Sequence, residues 1–317
     1  MPRILRILVA VVLTAIVVYA AHPSDVIRAT AGADLRWLTA AVALVLVDRS
    51  LMALRWIDLL VALTPGSRPP FPRVLRIFFV SSFVSNFVPS VAADMYRAYA
   101  LARHDVHLAE STASVLMDRI LGVLSMVIVG ACALPFAGSL GIERGLLVSL
   151  AVALAACVVA GAIVFSERAA LAVVRMMDLV PLGAIHRIAT ALTEAVRRYS
   201  RHHVQLARVL AMSVAVQAIR VVQAWCLGEA LGIELPLLTY FAVVPVILLI
   251  MQIPVTINGL GTTQVAFVAL LGAAGAGVAQ TTALSILFLA LGVIGSLPGG
   301  LIYAFADRAE RPGAQPS

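Results

Sequence analysis

Apolar runs of about 15 to 25 residues, separated by short arginine-bearing segments, make up most of this chain, and a helix rising 1.5 Å per residue needs that length to cross roughly 30 Å of hydrocarbon. Of 317 residues 62% are hydrophobic and 12% charged, whereas soluble domains are roughly half apolar and a quarter charged. So few charges cannot cover a soluble surface, so lipid must do part of the solvating. The net charge of +7 would suit nucleic acid, but all 23 cations are arginine and most lie between apolar runs, where they read as topology signals. No nucleic-acid partner is expected. Cys132, Cys157 and Cys226 stand singly in apolar stretches, so neither a disulfide framework nor a zinc site is expected, and no cofactor or metal. Arg3 and Arg6 precede an apolar run to Ala21 without a small-residue cleavage site; residues 4–21 are read as a retained first span.

The positive-inside rule gives a cytoplasmic N-terminus. A helix from about Leu35 to Leu63 returns inward to Arg68, Arg73 and Arg76, read as a loop because Pro69, Pro70 and Pro72 punctuate it. Residues 166–208 carry seven arginines, including Arg197, Arg198 and Arg201 beside His202 and His203, and are expected to form a cytoplasmic amphipathic connector on the inner leaflet. The runs 77–91, 112–137 and 144–166 between these two anchors leave parity off by one. The short, polar stretch IFFVSSFVSNFVPSV is therefore expected to be re-entrant from the cytoplasmic side. Residues 208–231 lead outward. The apolar run 237–277, broken at PVTINGLG, enters and leaves on the outer face as two tilted spans or a re-entrant hairpin, and 280–306 ends inside at a cytoplasmic C-terminus. The expected fold is an all-α, polytopic helical membrane protein: one domain over 1–317, about seven or eight spans, and one or two re-entrant segments.

The two interruptions share their chemistry. Asn86 and Pro89 precede Ala92, Ala93, Asp94 and Arg97; Pro254 precedes Asn258, Gly259, Gly261 and Gln264. Broken helices approaching from opposite sides at corresponding places are the sequence mark of an inverted repeat with a binding site at the midplane. The alternative is that Pro and Gly merely kink packed helices.

The strings SNFVPSVAADMYRAYALAR, VLMDRILGVL and QIPVTINGLG, with ALRW before them, resemble the family containing the transmembrane flippase domain of lysylphosphatidylglycerol synthase, in the same order and spacing from about Leu35 to Phe305. The family's Gly-Gly is here Ala92-Ala93, and its Arg-Glu after the Asn-Gly-x-Gly turn is here Thr263-Gln264. The resemblance implies an integral membrane protein that moves a polar-head-group lipid between leaflets. The synthase's soluble aminoacyl-transferase domain is not found before the last residue, Ser317, and lipid synthesis is not expected of this chain.

Charges inside spans are costly, roughly 2.5–3.5 kcal/mol each at a helix centre, unless paired or hydrated. Asp48, Arg55 and Asp58 share one helical stripe, read either as a polar face or as an interfacial anchor at Arg55-Trp56. Asp118 and Arg119 point about 100 degrees apart and must find other partners: Arg97 or Arg103 for Asp118, and Asp94 for Arg119. They could form a head-group site, an ion-pair network fastening the re-entrant piece, or both. Arg220 lies about 18 Å along a helix from Arg208, with Gln217 and Gln223 on either side. A guanidinium grips phosphate with two prongs, so Arg220 is the leading candidate for a lipid phosphate; the alternative is a salt bridge to Asp48 or Asp118. The head-group set is thus Arg220, Asp94, Arg97, Asp118, Arg119, Asn86, Asn258 and Gln264. GAAGAGV at 272–278 lacks the P-loop Lys-Ser/Thr, and His104 and His107 are read as solvated.

The expected function is a flippase or transporter in the cell's inner membrane, carrying a phospholipid, aminoacyl-lipid, glycolipid or polyprenyl-linked sugar. Two other readings stay open: a membrane subunit delivering lipid to a partner synthase or glycosyltransferase, and an intramembrane transferase, disfavoured because paired Asp-x-x-x-Asp carboxylates for Mg²⁺ are missing. The partners are membrane lipids, with an oligomer compatible.

Overall fold

The structure, a computed structural model, describes residues 23–63, 69–86, 90–102, 108–137, 148, 152, 155, 199, 202–252 and 261–305. These residues form α1 (Pro23–Ala31), α2 (Leu35–Leu63), α3 (Phe71–Val84), α4 (Ser90–Ala102), α5 (Leu108–Ala137), α6 (His203–Ala230), α7 (Leu237–Gln252), α8 (Thr262–Ala273) and α9 (Val278–Phe305). Among the described residues four stretches are long and apolar enough to cross a membrane: Leu35–Leu63, Glu110–Ala133, His203–Ala230 and Val278–Tyr303. The expected spans at 4–21 and 144–166 lie outside the described residues apart from helical positions 148, 152 and 155. Large exposed apolar side chains, Leu46, Val47 and Leu54 on α2 and Val293, Ile294, Leu297 and Leu301 on α9, face outward, as helices solvated by acyl chains require.

Local chemistry sets the helix ends. Asp34 Oδ1 accepts the Arg36 N–H at 2.8 Å, relieving one free donor at the start of α2. The prolines at 70 and 72 open α3 instead of holding a loop, because a missing N–H and a fixed φ suit a helix's first turn. Arg73 and Arg76 therefore lie on α3, both exposed, and not in a connecting loop. The helix expected from 208 starts at His203, so 203–208 belong to α6 and not to an amphipathic connector; of residues 166–201 only Tyr199 is described. Gly261 has φ +84 and donates its N–H to Gln264 Oε1 at 2.6 Å, which starts α8 from a conformation that L side chains rarely adopt.

Hydrogen bonds gather several helix ends at one pole. Asp34 N–H donates to Ala230 O at 2.9 Å, and Gln280 Nε2 donates to Leu231 O and Gly232 O at 3.2 and 3.1 Å. Trp37 and Trp225 meet edge to face there, 5.1 Å between centroids. The starts of α2, α7 and α9 and the end of α6 thus share this pole. At the other pole Tyr199 Oη donates to Leu59 O at 2.8 Å. Burial, then the Asp118 and Glu110 carboxylates, push the Tyr199 pKa upward, so the phenol stays a donor.

The short helices α3 and α4, of 14 and 13 residues, are pinned to each other by Ser81 Oγ donating to Ala93 O at 3.0 Å. Ser111 Oγ of α5 donates to Ala98 O at 2.9 Å, and α3 lies against α9, where a Cβ on Gly299 would come within 2.0 Å of Phe79 O. The apolar core falls into one cluster centred on α2, α6, α7, α8 and α9 and others around α2 with α3, α4 and α5.

Candidate functional site

Between these clusters lies a cavity of about 340 Å³. Helix α2 contributes Asp48, Arg49 and Arg55; the end of α3 contributes Ser85 and Asn86; α4 contributes Asp94 and Arg97; α5 Asp118 and Arg119; α6 Gln217, Arg220 and Gln223; and the end of α7 Met251 and Gln252. The described lining carries five arginines and three aspartates, a formal excess of two positive charges. Eight charges at roughly 3 kcal/mol each in hydrocarbon would exceed the whole stability of an ordinary domain. They are kept by pairing with one another and by polar atoms facing the cavity.

The charges fall at two levels. In the first, Asp118 accepts from Arg55 Nε at 2.8 Å, lies 2.6 Å from Arg55 Nη2, and accepts from Arg97 Nη2 at 3.2 Å through its other oxygen. All three are at most 5% exposed. Arg55 Nη1 also donates to Ser213 Oγ at 3.0 Å. Arg97 lies 4.7 Å from the Trp56 ring centroid and 5.6 Å from that of Phe78, sandwiched in cation–π contact. Trp56 in turn donates its Nε1–H to Ser114 Oγ at 3.0 Å. Arg97 reaches Asp94 at 3.7 Å, and Asp94 is hydrogen-bonded by Arg119 Nε. The second level lies about 10 Å along α2, seven residues toward its start, where Arg220 Nε donates to Asp48 Oδ1 at 3.1 Å and Arg220 Nη2 reaches Met52 Sδ at 2.9 Å.

The structure therefore pairs Asp94 with Arg119 and Arg97 with Asp118, the partners expected from the 100-degree offset of neighbouring helical residues. Arg103 lies outside the described residues. The Asp48, Arg55, Asp58 stripe points inward, but its members separate to three partners: Arg220, Asp118 and, for Asp58, Arg208 at 3.0 Å. The interfacial-anchor reading of Arg55-Trp56 is overturned, since Arg55 is 2% and Trp56 0% exposed; a snorkelling pair would reach the headgroups. Arg220 takes the salt bridge to Asp48 that the sequence left as an alternative. Asn86 Nδ2 donates to Ser296 Oγ at 2.8 Å and lines the cavity. Gln264 is spent on capping α8 and is not among the lining residues. Pro89, Pro254, Asn258 and Gly259 lie outside the described residues.

Arg49 went unnoticed in the sequence. It follows Asp48 directly and looks like half of an adjacent pair, yet the offset that separates Asp118 from Arg119 separates these two as well. Its Nε is buried without a hydrogen-bond partner, as are Arg97 Nε, Gln217 Oε1 and Gln223 Nε2.

Long apolar helices around a charged internal cavity define a multi-pass membrane protein. Residues 3–299 match the lysylphosphatidylglycerol synthase TM region, and the chain belongs to that family. Among curated proteins no significant match was found.

Proposed function

We propose that this protein is a non-enzymatic, flippase-like transporter that carries the polar head group of a membrane lipid through the central cavity while the acyl tails stay in lipid. One observation carries this reading: charged and amide side chains from α2, α4, α5 and α6 converge on a cavity inside an otherwise apolar bundle. Arg119, 39% exposed on its side chain, and the exposed Gln252 link that cavity to the surface. A head group, with its phosphate oxygens, replaces the water that hydrocarbon cannot supply.

In this reading α3–α4 and α7–α8 are re-entrant hairpins entering from opposite faces, the first from the cytoplasm, and form the two halves of an inverted repeat. Two facts support it. The feet of α7 and α9 share a pole with the end of α6, and the tips of both hairpins, Asn86 and Gln252, line one cavity. The termini are cytoplasmic and the membrane is the cell's inner membrane. Asp94, Arg97, Asp118 and Arg119 form the head-group shelf at one level. Arg220 with Asp48 forms a gate at the other, opening when a phosphate competes for the guanidinium.

The test is transbilayer movement of labelled native phospholipids, glycolipids or lipid-linked sugars in proteoliposomes. The double variant Asp48→Asn with Arg220→Gln removes both charges together, which spares the fold the penalty of an orphaned ion. We expect it to fold and to move lipid about tenfold more slowly or worse. Unchanged rates would remove the gate, and no movement of any native lipid by the wild type would remove the transport reading.

A further inference from the structure

We propose that the cavity selects head groups of net negative charge, and that Arg49 is the residue that receives their phosphate oxyanion. The lipid source of that oxyanion rests on the transport reading above; the charge preference rests on the residues alone.

Every aspartate of the described lining is already held by a guanidinium. Asp48 is held by Arg220, Asp94 by Arg119 and Arg97, and Asp118 by Arg55 and Arg97. A carboxylate is the strongest replacement for the hydration of an ammonium-bearing head group, and taking one here would strand an arginine. The cations are not similarly exhausted. Among the described residues no carboxylate forms an ion pair with Arg49, and its Nε is buried with no hydrogen-bond partner. Neighbouring Asp48 turns its Oδ1 to Arg220.

The other unpartnered side-chain atoms of the cavity lining have the same bias. Arg97 Nε and Gln223 Nε2 are donors, against one acceptor, Gln217 Oε1. Such a surface is built for a ligand rich in acceptors, as a phosphate is. Space is available near Arg49 on the side of Gly292 of α9, which lines the cavity with nothing within 4 Å of its Cβ position; at Gly295, nearly one turn later, the helix is packed against Val45 and Arg49, where an added Cβ would meet Val45 Cγ2 at 2.8 Å and Arg49 Nε at 3.5 Å.

The experiment measures binding of four probes to the purified full chain: phosphatidylglycerol, phosphatidylethanolamine and lysylphosphatidylglycerol in nanodiscs, and inorganic phosphate in solution. The expected result is that phosphatidylglycerol binds about tenfold tighter than the zwitterionic and cationic lipids, that Arg49→Gln erases the difference, and that Arg49→Lys keeps most of it. Equal binding of the three lipids by the wild type overturns the proposal, as does a preference that survives in a folded Arg49→Gln protein. Inorganic phosphate binding as tightly as phosphatidylglycerol overturns the lipid source. If Arg49→Gln does not fold, the wild-type ranking decides, together with Arg49→Lys, whose loss of the preference while folded would also count against it. The charge order without lipid movement keeps this inference and defeats the transport reading; equal transport of all three lipids does the reverse.

Discussion

Asp118 accepts from Arg55 and Arg97 at once, so its removal strands two buried cations. We expect Asp118→Asn to cost about 3–5 kcal/mol, read as a fall in the thermal unfolding midpoint in detergent. Arg55→Met and Arg97→Met combined with Asp118→Leu should recover much of that loss, because apolar replacement of all three removes the desolvation penalty with the attraction. Arg208→Ala is a milder case: its side chain is 70% exposed, but its loss leaves Asp58, 15% exposed, without an ion partner, and about 1–2 kcal/mol should be lost. Half of this network was legible beforehand. The offset of neighbours on a helix forces Asp118 and Arg119 to look elsewhere, and α4 offers Asp94 and Arg97 nearby in sequence. Arg55 was not assigned to Asp118, because the partners are 63 positions apart and no local rule spans that distance. The same rule, applied to Asp48 and Arg49, would have shown that these neighbours point apart and that Arg49 must look to another element.

Helix α3 rests on α9 through backbone contact. A Cβ at Gly299 would meet Phe79 O at 2.0 Å and Val80 N at 2.8 Å, and neither can rotate away. Gly299→Ala must push the two helices apart, with a cost of about 1–3 kcal/mol or more and displacement of Asn86 from Ser296. Gly272→Ala, with nothing within 4 Å of its added Cβ, should leave the unfolding midpoint unchanged. The long helices were easy to foresee: the sequence bounds of Leu35–Leu63 are those of α2. The start of α3 was misjudged for a local reason, since prolines that punctuate a loop are also the residues that best begin a helix.

The hairpins α3–α4 and α7–α8 give the molecule its internal cavity only if their tips meet inside it. With Cys132, Cys157 and Cys226 replaced by alanine, Ser85→Cys and Gln252→Cys should be bridged by a thiol crosslinker shorter than the roughly 30 Å hydrocarbon thickness. Full-length spans would send these positions to opposite aqueous faces, and no bridge would form. The membrane class and the positions of the four long helices follow from run length alone, since hydrocarbon thickness and helical rise act on each segment separately. Packing alone decided that Arg220 closes on Asp48 and that Arg49 lines the cavity with its Nε left without a hydrogen-bond partner. Each outcome depends on which residues neighbouring helices bring within about 3 Å, a property of how helices distant in sequence lie against one another.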